Sequence, residues 1–339
     1  MTSEMGEGRM ATDMEASWAV VGVLGAARGA CGGRGRTMGT EHLLAAVADT
    51  KGDAGEALWS AGVTVTATMA VLRDREARTG AWACDDDTGG SVDSVAALGE
   101  DGDHGIRLTG AAHRAFGAAM ELARADGAKK YTAEHLLRGL TAEENRAAEM
   151  LRVCRTSREA VVGWLDDGFH EMDDGLAPPL QPTRDALLGR RPYRALPFWK
   201  RWIVMGSGIN WAAVPTTWVK MDAHDQARRL FQELGTEHVL LAILATYEVA
   251  AQYPHLAGEN APEPGLRYAG GALLAVRGVD YARVHRALAN AGDLGPDERS
   301  ADRYLDAAQS EDGTGPLAET LLREDTRARR LIESLDATP

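Results

Sequence analysis

The string Gly39-Thr40-Glu41-His42-Leu43-Leu44 recurs twice more in this sequence of 339 residues. The second copy is Thr132-Ala133-Glu134-His135-Leu136-Leu137, and the third is Gly235-Thr236-Glu237-His238-Val239-Leu240. Each copy follows an Ala- and Arg-rich helical stretch and precedes an apolar helix, a loop and two more short helical stretches. Self-similarity of this kind is typical of repeat proteins. We therefore expect a chain built from helical repeats.

The second copy defines the repeat most clearly. Thr109 can cap a first helix whose apolar residues follow helical spacing from Ala112 to Ala123, and Gly127 ends that helix. The second helix starts near Thr132. Two further helices are predicted at Asn145–Val153 and Ser157–Leu165. The repeat thus comprises four helices in roughly 60 residues, with no strand signal.

The other copies follow the same plan. In repeat one the predicted helices are Ala16–Ala30, Glu41–Ala48, Ala54–Ala61 and Val65–Arg73. In repeat three they are Thr217–Leu230, Glu237–Thr246, Ala269–Val276 and Asp280–Ala289, with a long loop at Tyr253–Gly265.

A degenerate fourth copy is expected at Ser300–Leu335. Its first helix is weak or missing, and Ala301–Leu305 stands at the position of the recurring string, with Asp302 in place of the Glu. Gly315–Leu322 and Thr326–Leu335 would be its last two helices.

These repeats predict an all-α fold of tandem four-helix repeats paired into two domains. Residues 1–77 and 106–167 would form the first domain, joined by an acidic and solvated linker at 78–105. A Pro- and Trp-rich segment at 168–215 would connect it to a second, divergent domain at 216–336.

The recurring string, at this place in a helical repeat, resembles the N-terminal domain of the Clp/Hsp100 unfoldase ATPases. In that family the string follows the Thr that opens the first helix by about 25 residues, as Glu134 follows Thr109 here. The resemblance covers Thr12–Asp166 well and repeat three moderately, through Ala227–Leu230 and Gly235–Leu240. The ATPase modules are missing from this sequence, since none of its five lysines stands in a Gly-x-x-x-x-Gly-Lys-Ser/Thr loop.

The resemblance implies a ligand site at the recurring glutamate. In the family this residue is implicated in binding phosphorylated arginine on substrate proteins, and a carboxylate can hold a guanidinium with two parallel hydrogen bonds. Carried over, the candidates are Glu41, Glu134 and Glu237, with Thr109 and, more loosely, Thr12 as hydroxyl partners. An alternative stays open, because Thr and Glu before an apolar run are also ordinary helix N-terminal residues.

Composition excludes several classes of function. The chain carries 37 basic and 50 acidic residues, a net charge of −13, which disfavours nucleic-acid binding. Three cysteines without metal spacing predict reduced thiols in a cytoplasmic protein, and the N-terminus does not look like a secretory signal.

The window Trp202–Val219 is uncharged but interrupted by Gly and Pro, so we do not expect a membrane span. It belongs to a cluster of four tryptophans, Trp199, Trp202, Trp211 and Trp218. The cluster is either core, which we favour, or an exposed docking patch.

No nucleophile, phosphate-loop or metal-binding string is found, so we expect neither catalysis nor a metal or cofactor. The expected function is binding of a peptide or protein segment, cationic or arginine-bearing. The protein would act as an adaptor for a Clp ATPase, as a decoy, or by sequestering peptide antibiotics that target Clp. Two alternatives remain: an enzyme that uses the 178–220 segment as a pocket, and a structural oligomerisation module.

Overall fold

A computed structural model describes residues 14–32, 36–77, 82–168, 174–193, 209–257, 264–309 and 313–336. The chain divides into two compact units, Met1–Thr68 with Thr79–Met172 and Met69–Arg78 with Asp173–Pro339. The described residues are mostly helical, and their strands are two residues long. The predicted all-α character is therefore confirmed.

The first nine helices lie in the first unit, except for the C-terminal part of the fourth. They are α1 (Trp18–Ala30), α2 (Thr40–Val47), α3 (Asp53–Ser60), α4 (Val65–Ala77), α5 (Ser94–Leu98), α6 (Gly110–Ala125), α7 (Ala133–Thr141), α8 (Arg146–Val153) and α9 (Arg158–Asp167). Helix α4 extends past Thr68 into the residues assigned to the second unit. Eight of the nine were predicted from the repeats, and only α5 was not.

Short strands connect the loops that precede these helices. β1 (Glu15–Ala16) pairs in parallel with β5 (Lys130–Tyr131). β4 (Arg107–Leu108) pairs in parallel with β2 (Thr37–Met38) and antiparallel with β3 (Val92–Asp93). The first sheet ties the start of α1 to that of α7, and the second ties together the starts of α2, α5 and α6.

The core of the first unit is made by the predicted apolar faces. Helix α6 buries Ala112, Phe116, Ala119 and Ala123, and α7 buries Leu136, Leu137 and Leu140 against it. Burying a Leu or Phe side chain contributes about 1.5–3 kcal/mol before entropy costs. The helical spacing that predicted these elements is thus the spacing of their buried residues.

Residues 82–105 of the expected linker at 78–105 are mostly exposed or half-buried, as a solvated linker would be, but they also form regular secondary structure. This segment contains β3, α5 and a short 3-10 helix at Gly99–Asp101, and its Asp86 is fully buried. The acidic composition alone does not indicate this structure, because one of these carboxylates accepts hydrogen bonds from the ends of several helices, as shown below.

The second unit contains the remaining helices. They are α10 (Gln181–Leu187), α11 (Pro215–Arg229), α12 (Thr236–Gln252), α13 (Pro254–Ala257), α14 (Pro264–Arg267), α15 (Ala269–Val276), α16 (Tyr281–Asn290), α17 (Ala301–Ala308), α18 (Gly315–Arg323) and α19 (Arg327–Asp336). Helix α12 is buried along most of its length and packs on α11, α15, α16 and α19. The predicted helices of repeat three are found at these places.

Part of the predicted connecting segment 168–215 belongs to this second core. Trp218 is fully buried and donates to the Tyr193 hydroxyl at 2.7 Å, while Thr183 donates to the buried Asp222 at 2.7 Å. Trp211 is also buried. The expectation that the tryptophans form core is confirmed for Trp211 and Trp218, whereas Trp199 and Trp202 lie outside the described residues. Within the described ranges, no helix has the length and apolar character needed to cross a membrane.

Candidate functional site: the starts of the recurring helices

Each recurring string begins a helix in the same way. The backbone N–H of Gly39 donates to His42 Nδ1 at 3.1 Å, that of Thr132 to His135 Nδ1 at 3.1 Å, and that of Gly235 to His238 Nδ1 at 3.1 Å. The His therefore occupies the position that Glu or Gln takes in a capping box. Burial and nearby arginines lower the pKa of His42 and His238 to about 4, so both rings are neutral at pH 7.

The Thr of the string does not cap its own helix in two of the copies. The N-cap is Gly39 in α2 and Gly235 in α12, and the threonine that follows is the first helical residue. The Thr40 side chain donates to Asp86 and accepts from the Ala147 N–H at 3.0 Å. The expectation of Thr capping is thus wrong for Thr40 and Thr236. The hydroxyl instead links two helix N-termini.

Asp86 accepts hydrogen bonds at the meeting point of three helix N-termini. Its carboxylate accepts from the N–H of Thr40 at 2.9 Å, the hydroxyl of Thr109 at 2.7 Å and the N–H of Arg146 at 3.3 Å. These donors belong to the starts of α2, α6 and α8. A carboxylate is favoured there because the free N–H groups and the helix dipoles are positive at this end.

Glu41 lies beside this cluster and contacts a guanidinium from the same unit. Glu41 is buried, and its Oε1 accepts from Arg146 Nη1 at 3.1 Å, while its Oε2 has no hydrogen-bond partner among the described residues. Burial, and then the negative charge of Asp86, raise the pKa of Glu41 to about 7, against the opposing effect of Arg146. Of these two buried carboxylates, Glu41 thus contacts the guanidinium of Arg146, while Asp86 accepts from its backbone N–H.

The second unit contains the same arrangement built from other residues. Asp297 accepts from the N–H of Thr236 at 3.0 Å and from the N–H of Arg327 at 2.7 Å. The Thr236 hydroxyl donates to Asp297 and accepts from the Ala328 N–H at 3.0 Å. Glu237 is fully buried, and its Oε1 lies 3.0 Å from Arg327 Nη2. Burial raises the pKa of Glu237 above its ordinary value.

A glycine at the N-cap makes room for both buried glutamates. A Cβ atom at Gly39 would lie 2.2 Å from Glu41 Oε2, and one at Gly235 would lie 2.3 Å from Glu237 Oε2. The carboxylate therefore folds back over a residue that has no side chain. Helix α7 has Thr132 at this position, and the side chain of Glu134 takes another course.

Glu134 is the recurring glutamate that remains accessible. It is half-buried, and its Oε1 lies near the N-cap residue of α3, since a Cβ atom at Gly52 would be 3.9 Å away from it. Helix α3 begins with Asp53, whereas α8 begins with Arg146. The helix that faces Glu134 therefore begins with an acidic residue, whereas the helix that faces Glu41 begins with an arginine.

The two candidate threonines, Thr109 and Thr12, differ in what the structure shows of them. Thr109 caps α6 by accepting from the Ala112 N–H at 3.1 Å, as predicted, and it is buried. Its hydroxyl donates a hydrogen bond to Asp86. Thr12 lies outside the described residues.

A contact of the same kind occurs at Thr314, downstream of Ala301–Leu305, where the recurring string was expected. The Thr314 hydroxyl accepts from the Gly270 N–H at 3.1 Å, just as Thr40 accepts from Ala147 and Thr236 from Ala328. By this hydrogen bond, Gly313–Ala318 takes the position that Gly39–Leu44 and Gly235–Leu240 take against their facing helices. Gly315 then stands at the glutamate position in place of Asp302, and the facing helix α15 begins with Ala269. Carboxylate and arginine are both missing from this copy.

The recurring string gives no indication of the roles of Asp86, Arg146, Asp297 and Arg327. A signal for the two arginines was available, because Asn145-Arg146-Ala147 and Thr326-Arg327-Ala328 both place a capping residue before Arg-Ala. The two aspartates had no such signal, since their roles depend on loops that return to distant helices.

The first unit also has an open groove on one side of α1. Its volume is about 340 Å³, and its apolar lining includes Leu24, Leu98, Ile106 and Leu108. Asp101, Asp103 and Arg28 also line the groove, and Asp103 is paired with Arg28. The exposed Trp18 precedes Val21 by one turn on the same face of the helix, and Gly25 leaves the groove open.

Comparisons with known proteins do not assign this chain to a family. No family model matches it, and no curated protein matches it. Among the described residues, no group of three or more His, Cys, Asp or Glu side chains is placed to hold a metal ion.

Proposed function

We propose that this protein is a non-catalytic peptide-binding module, related to the substrate-recognition domain of Clp unfoldases. The observation that carries the proposal is the groove beside α1. Apolar walls and an acidic edge fit a peptide segment that alternates apolar and cationic side chains.

The groove has the features expected of a binding surface. The exposed Val21 and the half-buried Leu24 offer apolar area above the buried Leu98 and Ile106. Trp18, which is 86% exposed, stands one helical turn before Val21. An exposed tryptophan beside an apolar groove is typical of protein-binding surfaces. Asp101 and the net charge of −13 favour a cationic ligand.

We also propose that the helices form tandem four-helix repeats paired into two Clp N-terminal-like domains. In support, α2 packs on α8 and α3 on α7, while α12 packs on α19 and α15 on α18. At three of these contacts a threonine hydroxyl accepts a hydrogen bond from a backbone N–H of the facing helix. The threonines are Thr40, Thr236 and Thr314. This assigns α17, α18 and α19 to the first three helices of repeat four.

A phosphoarginine contact, which the resemblance implies, is proposed for Glu134. Glu41 and Glu237 are buried against Arg146 and Arg327, whereas Glu134 is half-buried at the start of α7. Its carboxylate can pair with a guanidinium that arrives from solvent. The cellular role would be that of an adaptor to a Clp ATPase, a decoy, or a trap for Clp-directed peptide antibiotics.

Peptide binding in the groove is tested by filling it. Gly25 lies on the groove, and a Cβ atom there meets nothing within 4 Å, so Gly25→Leu adds volume without a clash. Fluorescence anisotropy with a labelled peptide of alternating Leu and Arg residues should show saturable binding to the wild type. The affinity should fall at least about tenfold in Gly25→Leu, equivalent to about 1.4 kcal/mol.

Gly22→Leu is the matched control. Gly22 is on the same helix, a Cβ atom there also meets nothing within 4 Å, and it faces a different surface near Ala19 and Ala26. This variant should bind the peptide as the wild type does. Equal binding by Gly25→Leu and the wild type, or equal binding of a Leu and Glu peptide, would refute the proposed site.

A further inference from the structure

We propose that the groove beside α1 in one copy of this protein binds the Phe231 side chain of a second copy. The inference rests on the proposed function of that groove, and it names the end of this chain's own α11 as an occupant. The groove and Phe231 are different surfaces of the molecule. Each contact therefore leaves one groove and one Phe231 unfilled, so that further copies can join head to tail.

Phe231 has a backbone conformation in which the first two repeats have glycine. It follows the C-cap residue of α11 with φ at +55°, and its N–H donates to the Arg228 carbonyl at 3.2 Å. The residues at the same place after α1 and α6 are Gly32 and Gly127, with φ at +83° and +67°. This left-handed region is unfavourable for a bulky residue and easy for glycine. The turn that ends α11 therefore gives no reason for a phenylalanine.

Packing within the chain gives no reason for it either. Phe231 is 97% exposed, the largest exposed fraction among the large hydrophobic residues that the structure describes. A strained backbone conformation points to a function when the surrounding structure does not explain it, and an exposed aromatic ring is a typical anchor for a partner molecule. Strain and exposure together indicate a binding role for Phe231.

The residues before Phe231 have the chemistry that the groove was argued to take. The segment reads Arg228-Arg229-Leu230-Phe231, which joins cationic and apolar side chains. Arg228 is exposed, whereas Arg229 turns back to the buried Asp225, with Nε 3.4 Å from Oδ2. The end of α11 thus offers one aromatic ring and one exposed arginine.

The groove complements this surface in size and charge. Its volume of about 340 Å³ is at the lower end of the range for ligand clefts, which suits a single anchoring side chain. Val21 and Leu24 provide apolar area for the ring. Asp101 accepts from the Ala16 N–H at 3.1 Å and forms no ion pair with the described residues, so a second copy's Arg228 can approach it.

Sedimentation velocity with single and mixed variants tests the contact. The wild type should associate beyond a dimer as its concentration rises from about 10 µM to about 1 mM, the range of a weak interface. Phe231→Gly removes the ring and Gly25→Leu fills the groove, so each variant alone should associate at least about tenfold more weakly. Their equimolar mixture should form dimers and nothing larger, because only one complementary pair of surfaces remains.

Val276→Ala is the matched control, since Val276 is 89% exposed and is followed by Arg277. This variant should associate as the wild type does. Phe231→Gly should keep or raise the melting temperature, because glycine suits the backbone and no internal contact is lost. A loss of association in this variant then does not reflect unfolding.

Association that survives in Phe231→Gly or in Gly25→Leu, or a wild type that stays monomeric over this range, would overturn the inference. Binding of the labelled Leu and Arg peptide to Phe231→Gly separates this failure from that of the proposed function. If the peptide binds while the wild type stays monomeric, only the self-association is wrong. If the peptide does not bind either, the groove is not a peptide site.

Discussion

Glu41 and Arg146 lie 105 residues apart in the sequence, and their side chains meet with Oε1 3.1 Å from Nη1. The contact joins the N-terminus of α2 to that of α8, next to the buried Asp86. A helix N-terminus favours negative charge and disfavours positive charge. Glu41, which pairs with the guanidinium, and Asp86, which accepts from the backbone N–H of Arg146, both place negative charge at the start of α8 and so favour a cationic side chain there.

Asp86 should be the most sensitive position in the loop before α5. Asp86→Asn removes the charge that three helix N-termini share, and buried networks broken at one partner lose about 3–5 kcal/mol. We expect a loss of at least about 2 kcal/mol in the free energy of unfolding, measured with urea. Asp85→Asn, at an exposed neighbour, should change it by less than about 0.5 kcal/mol. Equal effects would show that Asp86 is not an anchor.

A side chain at the N-cap glycine should displace the buried glutamate. Gly39→Ala places a Cβ atom 2.2 Å from Glu41 Oε2, and relief of such a clash typically costs about 1–3 kcal/mol. Gly22→Ala lies in open space inside a helix and should stabilise the protein by up to about 1 kcal/mol. Thermal unfolding distinguishes the two. If Gly39→Ala also stabilises the protein, the buried position of Glu41 does not depend on a glycine at residue 39.

Loss of the Thr109 hydroxyl should weaken two contacts at once. It caps α6 and donates to Asp86, so Thr109→Val should lower the free energy of unfolding by about 2 kcal/mol. Thr109→Ser keeps both hydrogen bonds and should recover most of this loss. Urea unfolding of the two variants measures the difference, and a Ser variant as unstable as the Val variant would point to the lost methyl group instead.

Glu41 and His42 should give opposite dependences of stability on pH. The pKa of Glu41 is raised from 4.5 to about 7, so the folded state holds its proton more tightly and the free energy of unfolding falls as pH rises between these values. The pKa of His42 is lowered from 6.5 to about 4, so its contribution rises with pH between those values. The two effects offset each other from about pH 4.5 to 6.5.

Glu41→Gln should therefore expose the His42 dependence. In this variant the free energy of unfolding should rise more steeply with pH from 4.5 to 6.5 than it does in the wild type. Urea unfolding at pH 5, 6 and 7 measures this slope, with Glu134→Gln as the control that keeps the wild-type slope. The same slope in Glu41→Gln and the wild type would mean that Glu41 keeps its ordinary pKa.

Local patterns predicted most of the helices, and long-range contacts account for what was missed. The caps at Thr109, Asn145 and Ser157, together with the spacing of apolar residues, placed α6, α8 and α9 to within two residues. Asp86 sits in an acidic run that looked solvated, and its donors come from residues 23 to 60 positions away. No local signal distinguishes it from Asp85 or Asp87.

The same limit applies to the glutamates. Glu41, Glu134 and Glu237 have similar neighbours in the sequence, yet two are buried against arginines and one is accessible. The difference is set by the N-cap residue and by the first residue of a helix elsewhere in the chain. The likeness of the Thr314 segment to the string could not be recognised for a related reason, because Gly315 and Pro316 stand where the other copies have Glu and His.

We propose that, of the three recurring glutamates, Glu134 alone is open to an external guanidinium. Calorimetric titration of free phosphoarginine, beside plain arginine, tests it on the wild type, Glu134→Ala and Glu41→Ala. We expect one phosphoarginine-binding site per chain. Glu134→Ala should abolish this binding, and Glu41→Ala should retain it. Two or three sites per chain, or binding that depends on Glu41 rather than Glu134, would contradict it.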